Sequence, residues 1–157
     1  MISVSAQKVL DRFEFGPTYQ NSPDEAVDYD VWYRLVAQQL GWKPTDPRCW
    51  GEYPRTFTIG GFYSPGDKTP LYLARHYGAP VAAWSSSHDW NIEPAEAPGI
   101  DWDIDFAVVY VLPVWLLDQR YSFEEWVEAG IERSALAIWF ARHDRPRLSD
   151  VVFNSYD

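Results

Sequence analysis

The chain has 157 residues, 13 Lys and Arg against 23 Asp and Glu, a formal charge of −10, 46% hydrophobic residues and one cysteine, Cys49. That balance excludes a disordered chain, an internal disulfide or thiolate zinc cluster, and a nucleic-acid binder that works by neutralising phosphates. The longest apolar run, 106–117, is 12 residues and contains Pro113, against the roughly 20 of a membrane span. One domain over 1–157 is expected.

Val4, Val9, Leu10 and Phe13 form a short amphipathic pattern that predicts a first helix. Ser22-Pro23-Asp24-Glu25 combines a cap, a first-turn proline and a glutamate able to reach back. It predicts a helix over 24–40 capped by Ser22 and closed by Gly41. Val27, Val31, Leu35, Val36 and Leu40 are its apolar stripe, widened by Trp32, and Asp24, Asp28, Arg34 and Gln38 are its polar side. The Pro, Gly and Asp density of 41–54 predicts loop. Residues 56–63 read as a strand with a kink or bulge at Gly60-Gly61, and Ser64-Pro65-Gly66-Asp67 as its turn. The segment 71–77 fits a short helix or a buried strand, which periodicity does not separate at this length.

A strand is expected over 80–84 and a polar loop over 85–99. Over 101–112, Asp101, Asp103 and Asp105 alternate with Trp102, Ile104 and Phe106, predicting one strand that enters a sheet from its rim. Ser122-Phe123-Glu124-Glu125 repeats the capping box and opens a helix over 122–142, which Gly130 can break in two. Its buried side is Trp126, Val127, Ile131, Leu136, Ile138, Trp139 and Phe140. Residues 148–153 close the chain as a strand. This order of elements predicts an α+β fold with a mixed or antiparallel sheet and two principal helices.

Candidate chemistry is sparse. His76, His88 and His143 have no partner at ligand spacing, so no metal is expected. Ser85-Ser86-Ser87-His88-Asp89 lacks the turn of a nucleophile, and Gly60-Gly61 lacks the Lys-Ser/Thr of a phosphate cradle. The strongest pattern is electrostatic. Between Arg75 and Arg120 there is no Lys or Arg, while seven acids fall inside: Asp89, Glu93, Glu96, Asp101, Asp103, Asp105 and Asp118. Trp90 and Trp102 are embedded among them, and aromatic anchors among carboxylates suit a basic partner.

Gly60-Gly61-Phe62-Tyr63-Ser64-Pro65, followed by Leu71-Tyr72-Leu73-Ala74, resembles the RES domain, an NAD-consuming toxin family with an ADP-ribosyltransferase-like fold. The family shows Gly-Gly-Arg-aromatic-Asn-Pro and then, at the same separation, an apolar-Tyr-Leu-Ala strand. A loose match extends over 33–153, with 111–118 and Trp139 at further family positions. The resemblance implies NAD as cofactor, with Tyr72 lining the nicotinamide pocket and Arg34 as a second family arginine. Phe62 replaces the motif arginine and Ala83 the glutamate, so the two side chains that hold and polarise the dinucleotide are absent.

Two functions are therefore carried forward. One is a non-enzymatic acidic protein that needs no cofactor and occupies a basic surface of a partner, in the manner of inhibitors, immunity and anti-defence proteins or nucleic-acid mimics. Its contact residues are Asp89, Trp90, Glu93, Glu96, Asp101, Trp102, Asp103 and Asp105, and nucleic-acid-handling proteins are among the partners it would suit. The other is a RES-like NAD-consuming toxin or a catalytically degenerate relative. No apolar leader precedes Lys8, so a cytoplasmic location is expected.

Overall fold

In the computed structural model, residues 2–12, 28–45, 57–77, 79–88, 92–97, 105–106, 109–142 and 145–153 are described. Their fold is α+β, with a mixed six-stranded sheet in the order β1-β2-β3-β4-β6-β5. The strands are β1 (Lys43–Pro44), β2 (Phe57–Tyr63), β3 (Leu71–His76), β4 (Val81–Ser85), β5 (Asp105–Phe106) and β6 (Val109–Val111). All neighbours pair antiparallel except β4 with β6.

The two faces of the sheet separate along the strands with period two. Phe57, Ile59, Ala74, Val81 and Ala83 face one cluster, together with α1 (Val4–Arg12), α3 (Val114–Leu117), α4 (Phe123–Glu128), α5 (Arg133–Arg142) and α6 (Leu148–Val152). Phe62, Leu73, Ala82, Trp84, Val109 and Val111 face the other, covered by α2 (Tyr29–Leu40).

Helix α2 is capped by Asp28, whose carboxylate accepts the Val31 N–H at 3.1 Å, and ends at Gly41. Asp28 is extended and the helix starts at Tyr29, where a helix running unbroken from residue 24 was expected; Ser22 and 24–27 lie outside the described residues. Its buried stripe is Trp32, Tyr33, Val36 and Ala37, while Val31 and Leu35 are exposed. The expected stripe is therefore rotated toward the aromatic residues, whose larger rings span the gap to the sheet. In α1 the buried residue is Ala6 and Val4 is exposed; Phe13 lies outside the described residues.

The second long helix is indeed two. Ser122 and Glu125 form the expected reciprocal capping box, and Gly130, at φ +100°, separates α4 from α5. Ile138, expected inside, is exposed.

Three further expectations are corrected. The loop reading of 41–54 misses β1. Asp105 pairs with Tyr110 and Phe106 with Val109, so the chain doubles back where one strand over 101–112 was expected. The expected strand over 148–153 is instead a helical turn, α6, ending at Val152 with Phe153 as its cap, because Asp150 accepts the Arg147 N–H at 2.8 Å and starts the helix. The ambiguous segment 71–77 is a strand, β3.

Gly60 and Gly61 hold no bulge, since β2 and β3 keep continuous register from Phe57↔His76 to Phe62↔Leu71. Their role is close approach. A Cβ on Gly60 would lie 2.6 Å from the Tyr33 ring, and one on Gly61 would lie 2.6 Å from the Thr45 hydroxyl.

Candidate functional site

Two places in the structure bear on function. The first is the loop after β4. Ser85 is fully buried at the end of that strand, and its hydroxyl accepts the N–H groups of Ser87 (3.1 Å) and Glu93 (2.9 Å) while donating to the Ser87 carbonyl (2.7 Å). The Ser86 N–H donates to Glu93 O, the Ala95 N–H donates to Trp84 O, and Ile92 plugs into the core. Glu93 and Glu96, both exposed, thus stand on backbone pinned to the sheet.

Arg147 fixes one of them. Its guanidinium Nη1 lies 3.5 Å from Glu93 and 3.6 Å from Asp118, its Nε 3.3 Å from Asp150, and Nη2 donates to the Ile92 carbonyl. The Arg147 side chain is only 14% exposed, whereas Glu93 and Asp118 keep 58% and 50% of theirs. The stretch without bases in sequence therefore meets one in space, from 54 residues further along the chain. Sequence reasoning missed Arg147, because nothing local marks a cation that also reaches the distant Glu93 and Asp118.

Of the other expected contact residues, Asp105 sits on β5 beside β6. Asp89, Trp90, Asp101, Trp102 and Asp103 lie outside the described residues. An exposed indole does occur nearby in sequence: Trp115, on α3 three residues before Asp118, is 52% exposed.

The second place is a cavity of about 120 Å³ between α2 and the edge of the sheet. Asp30, Tyr33 and Arg34 line it from the helix, Pro44 and Thr45 from the end of β1, and Gly60, Gly61 and Phe62 from β2. Tyr33 is held by its hydroxyl, which donates to the Leu73 carbonyl at 3.0 Å. The structure thus brings Arg34, on α2, to the Gly-Gly segment. Tyr72 packs against Gly61 and, 5.0 Å away edge-on, the His88 ring. Phe62 and Ala83, standing where the resemblance calls for Arg and Glu, are buried in the two opposite core clusters.

The histidines are dispersed. His76 is buried, its Nδ1 accepts the Ala79 N–H at 3.0 Å, and burial pushes its pKa down to about 4. His88 is exposed against Tyr72, and His143 lies outside the described residues. Among the described residues no three His, Cys, Asp or Glu side chains group as a metal would require, and no helix is long and apolar enough to cross a membrane. Comparison with protein-family models, curated proteins and solved structures finds no match to this chain.

Proposed function

We propose that this chain is a cytoplasmic, non-enzymatic protein that engages a basic surface of a protein partner through the face carrying Glu93, Glu96 and Asp118. The contact extends to Asp89, Trp90, Asp101, Trp102, Asp103 and Asp105. The observation that carries this reading is the pinned loop: Ser85, Ile92 and Arg147 hold it in place while its carboxylates stay accessible to solvent. A preorganised acidic face loses little side-chain and backbone freedom when a partner docks. A net charge of −10 adds long-range steering toward a cationic surface. Such a partner includes proteins whose basic groove otherwise holds nucleic acid.

A second reading, an NAD-consuming RES-like protein, draws support from the meeting of Arg34 with Gly60-Gly61. Against it stand the burial of Phe62 and Ala83 as core residues. The cavity is also small, since ligand pockets typically measure roughly 300–1,000 Å³.

The test uses a fluorescent oligo-arginine peptide and measures affinity against salt concentration, alongside an NAD-consumption assay on the same preparation. Steep weakening with salt, and slower association in the Glu93→Gln/Glu96→Gln and Asp101→Asn/Asp103→Asn/Asp105→Asn variants, support the binding reading. Unchanged affinity at low salt in both variants overturns it. NAD turnover puts the second reading in its place.

A further inference from the structure

The cavity under α2 points to a ligand of a kind that neither functional reading above requires. A cavity of roughly 150 Å³ is large enough for benzene. The cavity that Gly60 and Gly61 help to line, about 120 Å³, therefore suits a molecule of about five or six heavy atoms.

Its polar lining is specific in sign. Arg34 and Asp30 face the same space from positions one helical turn apart. An acid four residues before a base is the favoured spacing for a helix ion pair. Yet no ion pair or hydrogen bond joins either residue to another described side chain. Thr45 also lines the space, its hydroxyl close against Gly61. One wall therefore offers a cationic fork able to grip a carboxylate with two hydrogen bonds, and a carboxylate able to accept from an ammonium. The Tyr33 ring, packed against Gly60, and Thr45, packed against Gly61, bound the space, and its small volume limits the ligand to a short side chain.

We propose that this cavity binds a small α-amino acid, of the size of glycine or alanine, with its carboxylate on Arg34, its ammonium on Asp30 and the Thr45 hydroxyl as a third contact. The proposal is independent of the acidic face, with which the cavity shares no residue.

The test is titration of the isotope-labelled protein with L-alanine, acetate and ethylammonium in turn, followed through the backbone amide signals of Gly60 and Gly61. L-alanine is expected to give saturable shifts at millimolar concentration. Acetate and ethylammonium, each satisfying one charge, are expected to bind at least about tenfold more weakly. Arg34→Gln and Asp30→Asn should each weaken alanine binding by a similar factor. Both residues are exposed, so an unchanged unfolding midpoint shows that the variants still fold. Three results overturn the proposal: no saturable shift at Gly60 and Gly61 up to about 100 mM alanine, acetate binding as tightly as alanine, or full alanine affinity in Asp30→Asn.

Discussion

The two faces of the sheet solve the same burial problem by different means. Among the described residues, α2 is the helix that covers one of the faces, and its cluster is built from wide rings: Trp32, Tyr33, Phe62 and Trp84, with Trp42 packed alongside. The other is covered by five short helices whose contacts are mainly aliphatic, around one fully buried indole, Trp126. A single helix reaches across a sheet with large side chains. The cavity at Gly60-Gly61 and the exposed Val31 and Leu35 lie on that thin side. Short helices cover the other face, but none of them is stable alone. That face therefore depends on buried anchors and caps.

The largest effect that separates the faces is expected from Trp126→Ala. The ring is fully buried and stacks edge-on to Tyr121 at 5.0 Å, so its loss should cost about 3–5 kcal/mol. Trp32→Ala should cost less, because Arg75, 4.7 Å above that ring, and solvent at the margin can fill part of the space. Urea unfolding of both variants checks the order. Equal losses would mean that the α2 side is as tightly closed as the other.

Acid should weaken the five-helix face selectively, through His76. Its pKa in the folded chain is about 4, below the ordinary 6.5, because burial disfavours the imidazolium. Above pH 6.5 the ring is neutral in both states and costs nothing. As pH falls below 6.5 the unfolded chain takes up the proton first. Stability is lost down to about pH 4, where the folded protein is protonated too, for a total of about 3 kcal/mol. His76→Asn keeps an acceptor for the Ala79 N–H but not the titration. Its unfolding free energy should fall less steeply between those pH values than that of the unsubstituted protein. Parallel slopes would place the acid sensitivity elsewhere.

Much of this architecture was legible in the sequence where a local chemical device marks it. The Ser122/Glu125 capping box, the break at Gly130, the end of α2 at Gly41 and the strands β2 and β4 are of that kind. What stayed hidden depends on contacts across the chain. On α2, Val31 and Leu35 are as apolar as the rings beside them, and only the distance to the sheet selects Trp32 and Tyr33 for burial. Leu148, Val151 and Val152 satisfy a helix or a strand equally over so short a span, and the choice falls to Asp150 and Arg147. The acidic stretch was legible as composition, but its pairing with Arg147 was not.

On the α2 side, Gly60→Ala tests whether close approach explains that glycine. The added methyl would sit 2.6 to 2.9 Å from three Tyr33 ring carbons, and the Tyr33 hydroxyl, bonded to the Leu73 carbonyl, resists displacement. Overpacking of this kind should cost about 1–3 kcal/mol, despite the gain an alanine otherwise brings to a strand. Thermal denaturation reads the result. A neutral or stabilising substitution would show that the ring moves freely and that the margin of α2 is looser than its packing implies.

The smallest predicted difference lies in the caps. Ser122 caps α4, a helix of six residues, through a hydrogen bond to the Glu125 N–H that Glu125 returns to the Ser122 N–H. Asp28 caps α2, a helix of twelve, with its single bond to Val31 and its own side exposed to water. Losing a cap costs about 0.5–2 kcal/mol in general, but the loss falls unevenly. In α4 the cap orders the turn that delivers Trp126 to the core, and few other residues hold that turn. In α2 four buried side chains keep the helix docked when its first turn frays. Ser122→Ala should therefore approach the upper end of that range and Asp28→Ala the lower. Amide hydrogen exchange makes the distinction local, since Ser122→Ala should expose the Trp126 amide while Asp28→Ala leaves the Val36 amide protected. If the two substitutions cost the same, the short-helix face does not lean on its caps, and the contrast between the faces rests on Trp126 alone.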